Sequence, residues 1–76
     1  MKRIIIVEDD KKLNDGIKLA LRHEYVCLQA FTIQDARELW KEQKADLILL
    51  DVNLPDGNGQ EWLEEIRQSS NVPMII

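Results

Sequence analysis

Two short apolar runs of this chain each end in carboxylate side chains. Ile4–Val7 leads directly into Glu8 and Asp9, and Leu47–Leu50 leads directly into Asp51. If both runs are buried strands of one parallel sheet, their carboxyl ends meet at the same edge, about one strand spacing apart. Carboxylates gathered in this way repel one another unless a cation lies among them. The pattern therefore predicts an acidic, cation-binding cluster at one edge of a sheet.

The elements that would position these carboxylates alternate between strand and helix. Continuous or alternating apolar runs predict four strands, at Ile4–Val7, Tyr25–Ala30, Leu47–Leu50 and Val72–Ile76. Apolar residues at helical spacing lie between them: Leu13, Ile17, Ala20 and Leu21, then Ile33, Ala36, Leu39 and Trp40, then Trp62, Leu63 and Ile66. This order is typical of βαβ units with right-handed crossovers, so we expect an α/β fold with a parallel sheet covered by helices.

The loop after Asp51 carries two turn-forming pairs, Asp56-Gly57 and Asn58-Gly59. Such pairs are common in two-residue hairpins. Because a solid apolar strand and a helical stripe flank them, we interpret the segment as a loop with positive φ values that leads into a helix, and not as a hairpin.

Simpler roles for the acidic residues come from local structure. Asp9 or Asp10 is placed to cap the first helix, and Asp51 is followed by a turn-rich segment, where aspartates are common. The case for a cation site depends on these residues ending two strands that are expected to be neighbours.

Composition narrows the classes of function. The 76 residues form one small domain, and their net charge of −4 argues against a nucleic-acid-binding surface. No apolar run approaches the length of a membrane span, and the single cysteine, Cys27, gives no disulfide framework. We therefore expect a cytoplasmic protein without membrane contact.

Three segments of the chain together resemble a known family. The run from Ile4 to Asp9, the run from Asp46 to Gly57, and Val72-Pro73-Met74-Ile75-Ile76 are similar, in order and spacing, to the receiver domain of bacterial two-component response regulators. The segment from Asn53 to Gly59 is most similar to receivers that precede a winged-helix DNA-binding domain. The resemblance implies a flavodoxin-like, doubly wound sheet with strand order 2-1-3-4-5, whose ligands bind beyond the carboxyl ends of strands 1 and 3.

The resemblance also implies a chemistry. Asp51 would accept a phosphoryl group from a histidine kinase, in a phosphorelay that regulates a downstream output such as transcription. A Mg²⁺ ion would be bound by Asp9, by Asp51 and by the backbone carbonyl of Asn53, with Glu8 acting through a water molecule. The chain would be a phosphoacceptor and not a turnover enzyme, and it would reach DNA only through a separate output domain.

The family pattern continues past the last residue of this chain. A fifth strand, two further helices, a hydroxyl residue and a lysine that contact the phosphoryl group would all lie beyond Ile76. We therefore expect residues 1–76 to be a partial receiver domain with strand order 2-1-3-4. The fourth strand would present an open apolar edge, through which the chain could pair with a second copy.

Two alternatives remain at this stage. Phosphatases of the haloacid dehalogenase type also place an aspartate after a buried strand, but they need a second aspartate two residues later, where this chain has Asn53. The other alternative is a receiver-like module without chemistry that associates with itself or with other proteins.

Overall fold

The computed structural model describes all 76 residues and contains a four-stranded parallel sheet. The strands are β1 (Lys2–Val7), β2 (Tyr25–Ala30), β3 (Leu47–Leu50), β4 (Asn53–Leu54), β5 (Gly57–Asn58) and β6 (Met74–Ile75). The helices are α1 (Lys11–Leu21), α2 (Ile33–Glu42) and α3 (Gly59–Arg67). The sheet order is β2-β1-β3-β6, so the predicted order of the first four sheet strands and the flavodoxin-like fold are confirmed.

The two central strands are held in a register that brings the acidic residues together. β1 pairs with β3 from Ile4 opposite Leu47 to Val7 opposite Leu50. The next residues, Glu8 and Asp51, therefore leave the sheet side by side at its carboxyl edge. The four apolar residues of β1 that enter this pairing are almost fully buried, as expected for a parallel strand covered on both faces.

The face of the sheet that carries Ile5 and Ile48 packs against α2 and α3. The buried cluster on this side includes both tryptophans, Trp40 from α2 and Trp62 from α3, in agreement with their places on the predicted helical apolar stripes. Trp62 is among the largest fully buried side chains of the molecule. This half of the core fixes the position of α3, and with it the end of the loop that follows Asp51.

The opposite face is covered only in part, by α1. The predicted apolar stripe of this helix is only partly correct, because Leu13 is 52% exposed while Asn14 is completely buried. The sheet contacts the side of α1 that carries Asn14 and Ile17. An open cleft of about 380 Å³ remains between this helix and β6, lined mostly by apolar side chains.

α1 and α2 each begin at a side-chain cap, and the cap of α1 is one of the two aspartates expected there. Asp10 caps α1 by accepting the Leu13 N–H at 3.1 Å, and Thr32 caps α2 by accepting the Asp35 N–H at 3.0 Å. The Asp35 carboxylate in turn accepts the N–H of Phe31, one residue before the cap, at 3.2 Å.

The interpretation of the loop after Asp51 as a simple loop was wrong. β4 and β5 form a short antiparallel hairpin, with Asn53 opposite Asn58 and Leu54 opposite Gly57. Pro55 and Asp56 make its two-residue turn, where the fixed φ of proline favours the reversal of the chain. Of the two glycines expected to have positive φ, only Gly57 does, at 152°. The apolar flanks misled the prediction because the hairpin is only two residues long on each side.

No helix in the structure is long enough and apolar enough to cross a membrane.

Candidate metal and phosphoacceptor site

Three of the predicted site residues meet at the carboxyl edge of the sheet. Carboxylate oxygens of Glu8, Asp9 and Asp51 all lie within 4.8 Å of one another. Glu8 and Asp51 are half-buried where the strands end, whereas Asp9 is exposed on the way into α1. The structure therefore assembles an acidic cluster that is open to solvent on one side.

Backbone hydrogen bonds fix the two segments that carry these side chains. The N–H of Glu8 donates to the carbonyl of Ala30 at 3.0 Å, which extends the β1–β2 pairing by one residue. The N–H of Asp51 donates to the carbonyl of Val7 at 2.9 Å, which extends the β1–β3 pairing in the same way. The backbone positions of Glu8 and Asp51 are therefore fixed by the sheet.

Asp9 and Asp10, which both follow β1, have different roles. Asp10 caps α1, and its own N–H donates to the carboxylate of Glu8 at 3.0 Å. Asp9 has no role in the cap, so its side chain is free to join Glu8 and Asp51. The simpler interpretation, helix capping, accounts for Asp10 and leaves Asp9 available to a cation.

Asn53 is attached to the cluster through its backbone. Its N–H donates to the Asp51 carboxylate at 3.2 Å, an interaction that ties the start of β4 to the residue that follows β3. The use of its carbonyl as a metal ligand stays a prediction.

The pKa of Glu8 reflects its partial burial and the crowding of carboxylates in the cluster. Partial burial raises the pKa of Glu8; the Asp10 N–H opposes this shift, and the negative charge of Asp51 adds to it. Crowded carboxylates of this kind are relieved by a bound cation. Because all the donors are oxygens and water has access, the set fits a hard divalent ion such as Mg²⁺.

Three residues that support the site were missed by reasoning from the sequence. Asn14 is buried beneath the end of β1, where its Nδ2 donates to the carbonyls of Glu8 at 2.9 Å and Ala30 at 3.1 Å. Asn14 lies three residues before Ile17, on the apolar stripe of the helix. A polar residue at that position was the sign in the sequence that its side chain is buried. Gly59 and Asp56, both described below, hold the hairpin, and no local pattern distinguishes them from ordinary turn residues.

Gly59 brings α3 close to the backbone of the site. Its N–H donates to the carbonyl of Val52 at 2.8 Å. A Cβ atom built on this residue would lie 2.6 Å from the carbonyl oxygen of Asp51 and 3.1 Å from Cδ1 of Leu50. The absence of a side chain is therefore required for this approach.

Comparison with known protein families agrees with the fold and with the acidic cluster. Residues 4–76 match the model of the response regulator receiver domain. The chain belongs to this family, whose members act in two-component signalling as signalling domains and not as conventional enzymes, and which bind Mg²⁺ at an acidic cluster. This assignment replaces the phosphatase alternative.

The curated relatives are transcriptional regulators. The chain is 40% identical over 74 residues to the transcriptional regulatory protein VxrB of Vibrio cholerae, covering 96% of this chain and 29% of that protein. It is 36% identical over 77 residues to the KDP operon transcriptional regulatory protein KdpE of Escherichia coli, covering 100% of this chain and 34% of that protein. The chain thus spans about a third of the length of these relatives.

Solved receiver structures superpose closely. The MaeR response regulator bound to beryllium trifluoride has a TM-score of 0.88 at 32% identity, covering 100% of this chain and 65% of that one. The non-phosphorylated HemR receiver domain of Leptospira biflexa also has a TM-score of 0.88, at 36% identity, covering 97% of this chain and 61% of that one.

Proposed function

We propose that Asp51 is the phosphoacceptor of a response regulator. The observation that carries this proposal is the meeting of Glu8, Asp9 and Asp51 at the carboxyl edge of the sheet, within 4.8 Å of one another. In a doubly wound sheet this edge is where ligands bind. Asp51 directly follows β3, is half-buried, and is held through its backbone N–H, so its carboxylate is attached to a fixed backbone and remains accessible to solvent.

The same residues are suited to hold a divalent ion. Asp9 and Asp51 would bind Mg²⁺ directly, with the backbone carbonyl of Asn53, and Glu8 would bind through a water molecule. When bound, the ion supplies positive charge that offsets the negative charge of the carboxylates and of an incoming phosphoryl group.

The chemistry required of the chain is then modest. A carboxylate oxygen of Asp51 forms a bond to phosphorus while the bond from phosphorus to a histidine nitrogen of the donor kinase breaks. The bonding electrons leave with the imidazole, which takes a proton from solvent. Phosphoryl transfer depends mainly on alignment and on neutralisation of charge; the fixed strand ends would supply the alignment, and the bound ion would supply the positive charge.

The partners follow from the family and from the named relatives. We propose a histidine kinase as phosphodonor and a cytoplasmic setting. Because the relatives are transcriptional regulators, we propose that the receiver controls transcription, with DNA contacted by an output domain that is not part of residues 1–76. Within that longer protein, residues 1–76 would be one partial receiver unit.

Phosphorylation by acetyl phosphate in the presence of Mg²⁺, read by intact-protein mass spectrometry, tests the proposal. We expect the mass gain of one phosphoryl group, lost on removal of the metal with EDTA and lost in Asp51→Asn. The matched control is Asp46→Asn, which removes a carboxylate at the opposite edge of the sheet, where Asp46 accepts the N–H of Arg3 at 2.8 Å. An adduct that persists in Asp51→Asn would show the proposal to be wrong, whereas a folded chain that gains none would show that residues 1–76 do not accept a phosphoryl group on their own.

A further inference from the structure

The turn of the β4–β5 hairpin is bonded to the start of α2. The carboxylate of Asp56 accepts the N–H of Ile33 at 2.8 Å and the N–H of Gln34 at 3.0 Å. These two donors lie in the first turn of the helix, where no carbonyl of the helix can reach them. Since the donors sit at the positive end of the helix dipole, a carboxylate is well matched to this position. The hydrogen bond from the Ile33 N–H is the largest cause of the lowered pKa of Asp56.

Packing adds to these hydrogen bonds at the next residue. Gly57 has a φ of 152°, which side chains of L-residues rarely permit. A Cβ atom there would lie 3.1 Å from Cδ1 of Ile33, whose side chain belongs to the buried core. The backbone of the turn therefore rests directly on the first residue of α2.

The helix itself depends little on this contact. Thr32 already caps α2 by accepting the N–H of Asp35. The hairpin, in contrast, has no other side-chain hydrogen bond between residues 54 and 57, so Asp56 is its one such attachment at the tip.

The hairpin carries part of the proposed site. Asn53 begins β4, and its N–H donates to the Asp51 carboxylate at 3.2 Å. At the base of the hairpin, the N–H of Gly59 donates to the carbonyl of Val52 at 2.8 Å. Asn53 thus lies between a base fixed by Gly59 and a tip fixed by Asp56.

We infer that Asp56 is a positioning residue for phosphoryl acceptance, which holds the hairpin against α2 so that Asn53 and Asp51 keep the geometry that an ion requires. This inference rests on the function proposed above. Asp56 does not touch the acidic cluster; it acts through the backbone of the hairpin. Its loss leaves every carboxylate of the cluster in place and loosens the segment that carries the Asn53 carbonyl.

The test compares Asp56→Ala with Asp46→Ala in the 76-residue chain. Both changes remove an exposed carboxylate that accepts backbone N–H groups, but Asp46 lies at the opposite edge of the sheet. The measurements are the dissociation constant of Mn²⁺, followed by electron paramagnetic resonance, and the initial rate of Asp51 phosphorylation by acetyl phosphate. Thermal unfolding by circular dichroism shows that each variant is folded at the assay temperature.

We expect Asp56→Ala to weaken Mn²⁺ binding about tenfold, the effect typical of losing a residue that orients a ligand, and to slow phosphorylation. Asp46→Ala should leave both within about twofold, which is well below that effect. Asp56→Asn keeps one oxygen acceptor at the same place, so it should recover part of the metal affinity. Such a recovery separates positioning from a loss of charge.

Two results would overturn the inference, and they are distinguishable. If the natural chain binds Mn²⁺ and is phosphorylated at Asp51, but Asp56→Ala behaves like Asp46→Ala, the positioning role is refuted and the proposed function stands. If the natural chain is folded and does neither, residues 1–76 do not assemble the proposed site, and the inference fails with it. Should Asp56→Ala not fold, Asp56→Asn is compared with Asp46→Asn, and the expected loss of metal affinity is smaller but still larger than that of Asp46→Asn.

Discussion

Replacing Asn14 by alanine should destabilise the fold at the point where the acidic cluster begins. The Asn14 amide is fully buried and donates two short hydrogen bonds, to the carbonyls of Glu8 and Ala30, at 2.9 and 3.1 Å. The carbonyl of Ala30 keeps a second partner in the Glu8 N–H, but the carbonyl of Glu8 loses its bond to this amide. Each of the two bonds contributes about 1 kcal/mol, and the Glu8 carbonyl, which is only partly buried, costs at most about 2 kcal/mol more when it is left without a partner.

The expected loss is therefore about 2–4 kcal/mol. A domain of this size has a free energy of unfolding of about 4–11 kcal/mol, so the change is a large share of the total. Urea unfolding followed by circular dichroism measures it, and with a slope of about 1 kcal/mol per molar urea the midpoint should fall by about 2 M or more.

Gln29→Ala is the matched control, because it removes only the bond from Gln29 Nε2 to Asn14 Oδ1 and the one to Asp15 on the more exposed side. We expect it to cost clearly less than Asn14→Ala. A loss below about 1 kcal/mol for Asn14→Ala, the size of one ordinary hydrogen bond, would refute the account of Asn14 as the residue that holds the end of β1.

The remaining predictions concern the hairpin and its contacts. Gly59→Ala should cost about 1–3 kcal/mol in urea unfolding, because its Cβ would collide with the Asp51 carbonyl, whereas Gly16→Ala has open space and should stabilise α1 by about 0.5–1 kcal/mol. If Gly16→Ala destabilised the chain more than Gly59→Ala, the close packing described at Gly59 would be contradicted. Because hydrogen bonds from Ile33 and Gln34 lower the pKa of Asp56, ionisation of Asp56 stabilises the folded state above the ordinary aspartate pKa, and this contribution is lost as pH falls through the lowered value. Urea midpoints measured across acidic pH should show it, and Asp56→Asn should flatten that part of the profile.

Much of the architecture could be predicted because burial leaves a clear pattern. The continuous apolar runs Ile4–Val7 and Leu47–Leu50 occupy the two central strands. Ile4–Val7 is buried on both faces, whereas Leu47–Leu50 is buried on the face of Ile48 and Leu50 and half-buried on the other. Once the two strands are neighbours in register, the meeting of Glu8 and Asp51 follows from geometry alone. That is why the cluster could be predicted from the sequence.

What could not be predicted depends on contacts between distant residues. Asp56 and Ile33 are 23 positions apart, and no local pattern shows that a turn residue reaches the start of another helix. The burial of Asn14 in place of Leu13 was missed for a similar reason. An amphipathic stripe is assigned by hydrophobicity, which favours Leu13. Here three carbonyl groups at the ends of β1 and β2 accept hydrogen bonds from the side chain of Asn14, so the polar residue is buried instead.

The two kinds of residue have different consequences for the site. Glu8, Asp9 and Asp51 supply charge, and their mutual repulsion works against the fold until a cation is bound. Asn14, Asp56 and Gly59 carry no charge into the cluster, yet each fixes a backbone segment that ends there. It follows that stability and metal affinity should respond in opposite directions to some changes: neutralising Asp9 relieves repulsion and weakens metal binding, whereas loosening Asn14 or Gly59 lowers both. Measuring the two quantities on the same variants therefore separates residues that bind the ion from residues that hold its ligands in place.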